Sequence, residues 1–446
     1  MPASRLETTT LAGATVAATL AGATALYLVR RRWLRQREPT LSERLCGAWR
    51  SLHIYSFVAK PGEKGSLATG RAYDYASPWV MGKPGPHPSY VDPAGRGNFG
   101  VRNEGFLLLT PDGHFSVMKA AAPRPTGRGL DTSLSDASAA DVDALTSTLL
   151  AYCGRYTVVE DWTGTVVNLH VECGYSTAVM GGVTNKRPVR WRDGKLFLTV
   201  HPDQPVVYHS LNVYANMEFL KVGDWRLRSV WSPSFARAAS AELHQRLVGA
   251  WEVTAVRYTA SGEVGGEETY DFGTHVNGLL VCTPTGEFAL QYRSNARPQV
   301  PAGPNGSFGG QGPSDPTDWA APTGGSAEAA QKKLLREFVM LHGGFSFVDG
   351  GGGGGDGGDG GGGGGGGASV MEWHVERAWN PAFIGCTLRL AMEEGEAAGG
   401  GRGGGGATTL RLVCDSQSYC DDTPFMPVPF DWDRPTSRVV LELRKR

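Results

Sequence analysis

Residues 98–115 read Asn98-Phe-Gly-Val-Arg-Asn-Glu-Gly-Phe-Leu-Leu-Leu-Thr-Pro-Asp-Gly-His-Phe115, and the pattern returns as Asp271-Phe-Gly-Thr-His-Val-Asn-Gly-Leu-Leu-Val-Cys-Thr-Pro-Thr-Gly-Glu-Phe288. Eight of the eighteen positions are identical, which marks a duplicated structural unit. Thr110-Pro-Asp-Gly113 has the residues of a type I turn, with Pro setting φ at the second position and Gly closing the turn. It joins the apolar run 105–109 to Phe115-Ser-Val-Met118 and predicts a hairpin. Thr283-Pro-Thr-Gly286 predicts the same in the second copy.

Working outward, other blocks keep one order in both copies. Leu45-Cys-Gly-Ala-Trp49 matches Leu247-Val-Gly-Ala-Trp251, and Gly154-Arg-Tyr-Thr-Val158 matches Gly343-Gly-Phe-Ser-Phe347. His170-Val-Glu172 matches His374-Val-Glu376, each followed three positions later by an aromatic residue, Tyr175 or Trp379. The chain therefore divides into residues 1–40, a first repeat at 41–233, a linker at 234–240 and a second repeat at 241–446.

Alternating segments at 49–57, 165–172, 189–192, 196–200 and 225–230 read as strands. Residues 136–152 place Val142, Leu145, Leu149 and Tyr152 on one stripe behind cap residues Ser135 and Asp136, which predicts a helix. Ala330, Leu334, Phe338 and Leu341 form the equivalent stripe. Eight or nine short strands with one helix per copy predict a mostly β protein of two tandem antiparallel barrels, each closed on itself. Gly350–Gly367 falls where the first copy has Asp161-Trp-Thr-Gly164, and Gly399–Gly406 falls near the counterpart of Asp193-Gly194. Both tracts read as insertions at hairpin tips, where closure entropy grows slowly with length. No Walker-type lysine accompanies them, which argues against a phosphate cradle.

Lys+Arg total 43 and Asp+Glu 44, a net charge of -1 that leaves no electrostatic footprint for nucleic acid. Seven cysteines (Cys46, Cys153, Cys173, Cys282, Cys386, Cys414, Cys420) form no C-x-x-C pair and read as reduced thiols rather than a disulfide framework or metal site. Residues 11–29 are an uncharged run of 19, long enough for a bilayer core of about 30 Å. Arg30, Arg31, Arg32, Arg35 and Arg37 follow it, whereas Arg5 and Glu7 precede it. The positive-inside rule then predicts a single-pass transmembrane helix with the folded mass in the cytosol. The pattern resembles the signal anchors of mitochondrial or plastid outer-membrane proteins. The competing reading is a cleaved transit peptide, which would deliver the barrels to an organelle interior.

Gly47-Ala-Trp49 and Gly249-Ala-Trp251 resemble the lipocalin signature. The longer order is Leu-x-Gly-x-Trp, a Gly-then-apolar strand into Thr-Pro-x-Gly, a helix, then His-Val-Glu and a later Gly (Gly181, Gly385). It is similar to the family of lipocalin-like domain proteins. The resemblance implies small calycin-type barrels able to enclose an apolar ligand. It also implies that Gly47, Trp49, Gly249 and Trp251 close the barrel floors. An Arg from the last strand would stack on each indole: Arg226 or Arg228 on Trp49, and Arg438 on Trp251.

His170, Glu172, His374 and Glu376 are the candidate polar lining, because period-two alternation puts each His and Glu on one strand face. The opposite faces, Leu169 with Val171 and Trp373 with Val375, suit an apolar interior equally well. Tyr73, Tyr75, Trp79 and Tyr90 lie in a loop at 60–97, where lipocalins place a flap over the barrel mouth; it would gate a ligand or dock a protein partner. Neither a cofactor fingerprint nor metal-ligand spacing is present.

The expectation is a membrane-anchored, non-enzymatic binder of a small apolar molecule such as a lipid, isoprenoid or pigment. Two alternatives stay open: an isomerase or cyclase using His170/Glu172 or His374/Glu376 as acid and base, and a scaffold subunit of a membrane complex. Removing residues 1–38 should release a soluble folded protein, checked by alkaline extraction of membranes. Membrane integration that survives the truncation would overturn the anchor.

Overall fold

The computed structural model describes residues 40–59, 102–122, 138, 149–175, 184–204, 206–208, 211–223, 241–260, 276–294, 332, 335, 337–348, 369–379, 385–396, 408–415 and 436–446. The chain divides into two compact units, Met1–Leu45 and Cys46–Arg446. The described part of the first is a short helix, α1 (Leu41–Leu45). A capping box starts it: Thr40 Oγ1 accepts from the Glu43 amide at 3.3 Å, and the Glu43 carboxylate accepts from the Thr40 amide at 2.7 Å.

The second unit is built of strands in two consecutive rings. The first comprises β1 (Gly47–Ala59), β2 (Arg102–Leu109), β3 (His114–Ala122), β4 (Leu149–Asp161), β5 (Gly164–Gly174), β6 (Thr184–Arg192), β7 (Lys195–Thr199), β8 (Val206–Tyr208) and β9 (Leu211–Lys221). Each pairs antiparallel with the next up to β7, which pairs with β9, and β9 returns to β1. An eight-stranded ring results, and β8 extends the sheet beside β9. A helix, α2 (Ala241–Leu247), precedes the second ring. That ring runs β10 (Gly249–Ala260), β11 (Val276–Cys282), β12 (Glu287–Ser294), β13 (Phe338–Val348), β14 (Ser369–Ala378), β15 (Thr387–Glu396), β16 (Thr408–Asp415) and β17 (Thr436–Lys445), and β17 closes on β10. In each ring the first strand thus pairs with the last.

The turns form as their residues predict. The Gly113 amide donates to Thr110 O at 3.2 Å and the Thr110 amide to His114 O at 2.9 Å; Gly286 and Thr283 repeat the pair at 3.2 and 2.8 Å. The glycine tracts span the β13–β14 and β15–β16 connections, and like the linker 234–240 they lie outside the described residues.

The expected helices are corrected at their C-terminal ends. Leu149 and Tyr152 lie in β4, and Phe338 and Leu341 in β13. Lys332 and Leu335, which lie between positions of the second stripe, are helical; Val142, Leu145, Ala330 and Leu334 lie outside the described residues. The cause is burial on both strand faces. Residues 338–347 are buried without interruption, so the alternation that marks a half-exposed strand disappears and chance spacings of three and four read as a helix. Residues 225–230 also lie outside the described residues, as do 11–29. No helix among the described residues is long and apolar enough to cross a membrane.

The two-sided burial comes from one barrel lying against the other. Outward side chains Ala48, Phe106, Leu108, Cys153 and Cys173 form one apolar cluster with Leu279, Val281 and Ala289 of β11 and β12. Cys153 and Cys173 are cross-strand partners and free thiols. Phe106 stacks on His342 at 3.9 Å between centroids. Gln291 crosses the interface, its amide donating to Ser116 Oγ at 2.7 Å and Val117 O at 3.1 Å.

Asp112, in the first turn, accepts from the Ala250 amide of the second barrel at 2.9 Å. Burial alone would raise its pKa. Hydrogen bonds from Thr110 and Ala250, with the His114 ring 3.3 Å away, outweigh burial and hold the carboxyl well below the usual carboxylate range. A depressed folded pKa gives stability that is present above the ordinary value of 3.8 and is lost as pH falls through the folded value. Asp112→Asn should therefore cost about 1–2 kcal/mol by urea unfolding near neutral pH. The gap to the parent protein should narrow as the pH drops below the carboxylate range, and a gap that stays constant with pH would refute the assignment.

Candidate functional site

Each barrel floor is built on its Gly-x-Trp motif. Trp49 and Trp251 are buried and point inward. The cation over each ring is a lysine: Lys221 Nζ lies 5.2 Å from the Trp49 centroid and Lys445 Nζ 4.5 Å from that of Trp251. For Trp251 this corrects the arginine expectation. Trp49 pairs in register with Lys221 and Trp251 with Lys445, whereas Arg438 pairs with Thr259 further along β10. Arg226 and Arg228 lie outside the described residues. Gly47 and Gly249 have φ of +119° and +116°, and a Cβ at either would fall 3.3 Å from the lysine's terminal atoms. In the second barrel Lys445 also donates to Val248 O at 2.5 Å and Arg246 O at 2.9 Å, and Trp251 Nε1 to Leu247 O at 2.9 Å, which plugs the floor with α2.

The His-Val-Glu motifs face outward. His170 bonds Thr184 Oγ1 at 2.9 Å and Thr157 Oγ1 at 3.1 Å; His374 bonds Thr387 Oγ1 at 2.8 Å. Burial pushes His374 down to about 4, so the ring is neutral at physiological pH. Each Glu is the extra residue of a β-bulge, since Gly154 pairs with Val171 and Gly343 with Val375 immediately after the register shift. Glu172 accepts from Arg155 Nε at 2.7 Å and from Arg446. Glu376 lies in a cleft of about 530 Å³ between the barrels with Arg50, Lys221 and Arg377. The lumen faces are instead Leu169 with Val171 and Trp373 with Val375, so the four motif residues are not brought to either interior. Tyr73, Tyr75, Trp79 and the rest of loop 60–97 lie outside the described residues.

The two lumens differ in chemistry. In the second barrel Trp251, Phe288, Phe345, Trp373 and their aliphatic neighbours form one apolar core, with Phe288 stacked on Trp373 at 4.5 Å. In the first, register places Lys119, Tyr152, Asn185, Arg187 and Ser51 on the inward face, all buried. The matched positions of the second copy are Tyr292, Leu341, Leu388, Leu390 and Val253. Lys119 Nζ sits 5.4 Å from the Phe219 ring on the far wall. Burial raises the Tyr152 pKa, and the Arg187 guanidinium, which donates to Lys186 O at 3.0 Å, partly offsets that rise. Burial, then the Arg187 charge, push Lys119 down to about 7.

The family model of the lipocalin-like domain matches residues 93–209, from just before β2 through β8. Over those residues the first barrel is similar to a lipocalin-like domain. Among curated proteins nothing matches the sequence. A solved protein of unknown function from the DUF3598 family of Nostoc punctiforme is 6% identical, covering 92% of this chain and 100% of its own, with a TM-score of 0.18. At that score the likeness carries nothing further.

Within the lipocalin-like barrel, sequence reasoning missed the polar lumen. Lys119 interrupts an apolar run and Arg187 precedes Pro188 in a basic stretch, so neither signals an interior position. Only the pairing of β3 and β6 with their neighbours shows it. The repeated Gly154 and Gly343 have a steric cause: a Cβ there would fall 2.1 Å from His170 O and 1.7 Å from His374 O. Gly343→Ala should cost at least about 2 kcal/mol in urea unfolding, because backbone rather than a flexible side chain would have to move. A near-neutral result would show that the bulge relaxes freely.

Proposed function

We propose that this chain is a membrane-anchored tandem lipocalin-like protein that binds one small, mainly apolar molecule inside its first barrel, with the second barrel as a filled scaffold. The contrast between the two lumens carries the reading. An eight-stranded barrel is wide enough to be filled by side chains or to hold one small ligand. The second is packed with stacked aromatics and aliphatics, while the first has five buried polar groups at matched positions. A mainly apolar lumen with a few placed polar groups is the usual character of a small-molecule site. The outward His-Val-Glu motifs favour binding over acid–base chemistry, since a general base must reach its substrate.

An environment-sensitive apolar dye should bind the whole chain with a stoichiometry of one. Val167→Trp, beside Arg187 on the lumen wall, should weaken it at least about tenfold without unfolding the protein. His170→Ala and His374→Ala should shift affinity by less than about tenfold. Two dye sites, or a site indifferent to Val167→Trp, would overturn the assignment to the first lumen.

A further inference from the structure

We infer that the ligand of the first barrel carries an oxyanion head group, held between Lys119 and Arg187. This rests on the lumen-binding reading and adds the chemistry of the ligand's polar end. Lys119 projects from β3 and Arg187 from β6, and they share the interior with the Tyr152 hydroxyl. Two more donors face the same space without a partner: Asn185 Nδ2, on a residue 2% exposed, and Ser51 Oγ, on a residue 4% exposed. Buried polar groups are ordinarily bonded, so a pair of orphaned donors beside two cations points to an absent acceptor. The nearby carboxylates are turned away, Glu218 to Lys195 Nζ at 2.6 Å and Glu172 to Arg155.

Two like charges in one low-dielectric interior repel each other, and each loses hydration. Burial and the Arg187 charge accordingly favour the neutral form of Lys119. An oxyanion between them reverses both effects. A guanidinium fork receives carboxylate or phosphate oxygens bidentately, and an ammonium adds a point charge. Apolar side chains around the rest of the lumen, Phe115, Val117, Val167 and Leu169 among them, suit a hydrocarbon body. The ligand class is a small amphiphile with one carboxylate or phosphate head.

Isothermal titration calorimetry on the full chain tests this with three probes of equal chain length: dodecanoate, dodecyl phosphate and dodecan-1-ol. At least one anionic probe should bind about tenfold or more tightly than the alcohol, and the stronger of the two identifies the head group. Lys119→Met and Arg187→Leu should each erase that preference and leave alcohol binding in place, with thermal melts verifying the fold. Equal binding of all three probes by the parent protein would overturn the oxyanion assignment while the lumen-binding reading stands. No binding of any probe would overturn both. A preference that survives both substitutions would place the anion elsewhere and refute the assignment.

Discussion

Each ring depends on its first strand meeting its last. Until β10 pairs with β17, and β1 with β9, two strand edges carry unpaired amides and carbonyls. The Trp–Lys contact lies on that seam. In the second barrel one lysine joins three tasks: its strand closes the ring, its stem covers Trp251, and its ammonium satisfies carbonyls at the end of α2. The next residue, Arg446, reaches Glu172 on the first barrel and lies 3.7 Å from Glu252 on the second. Closure of the second barrel and its attachment to the first therefore meet at adjacent residues.

Where local chemistry determines structure, the sequence was legible. The Thr-Pro-x-Gly turns, the Gly-x-Trp strand starts and the order of repeated blocks need only neighbouring residues for their reading, and they gave the barrel class and its duplication. The helices at 136–152 and 330–341 misled at their ends because Leu149, Tyr152, Phe338 and Leu341 sit in strands buried from both sides. That burial depends on a wall contributed by residues more than a hundred positions away, such as Gln291 against Ser116. No window of a dozen residues contains it.

The functional residues were less legible for a related reason. In a strand, which face is inward is set by register, and one bulge exchanges the faces. His-Val-Glu drew notice because it recurs, yet its recurrence marks the bulge opposite Gly154 and Gly343, where strand backbones approach too closely for a side chain. Lys221 and Lys445 went unseen because their partners, Trp49 and Trp251, lie at the other end of each repeat. Lys119 and Arg187 became lumen residues only once β3 and β6 were placed in one ring.

The duplication separates what closes a barrel from what fills it. Both copies have the turn, the Trp–Lys contact and the glycine facing the bulge, and these features account for ring formation without reference to contents. The lumens share no such identity. Leu390 in the place of Arg187, and Tyr292 in the place of Lys119, show that this scaffold accepts uncharged interiors. Burying two cations costs desolvation and mutual repulsion, and well-packed hydrophobic replacements of buried charges are often neutral or stabilising. Closure therefore gives no reason for the first lumen to be cationic. A group that opposes stability in one copy, and is absent from its structural twin, is what the proposed ligand of that one barrel would account for.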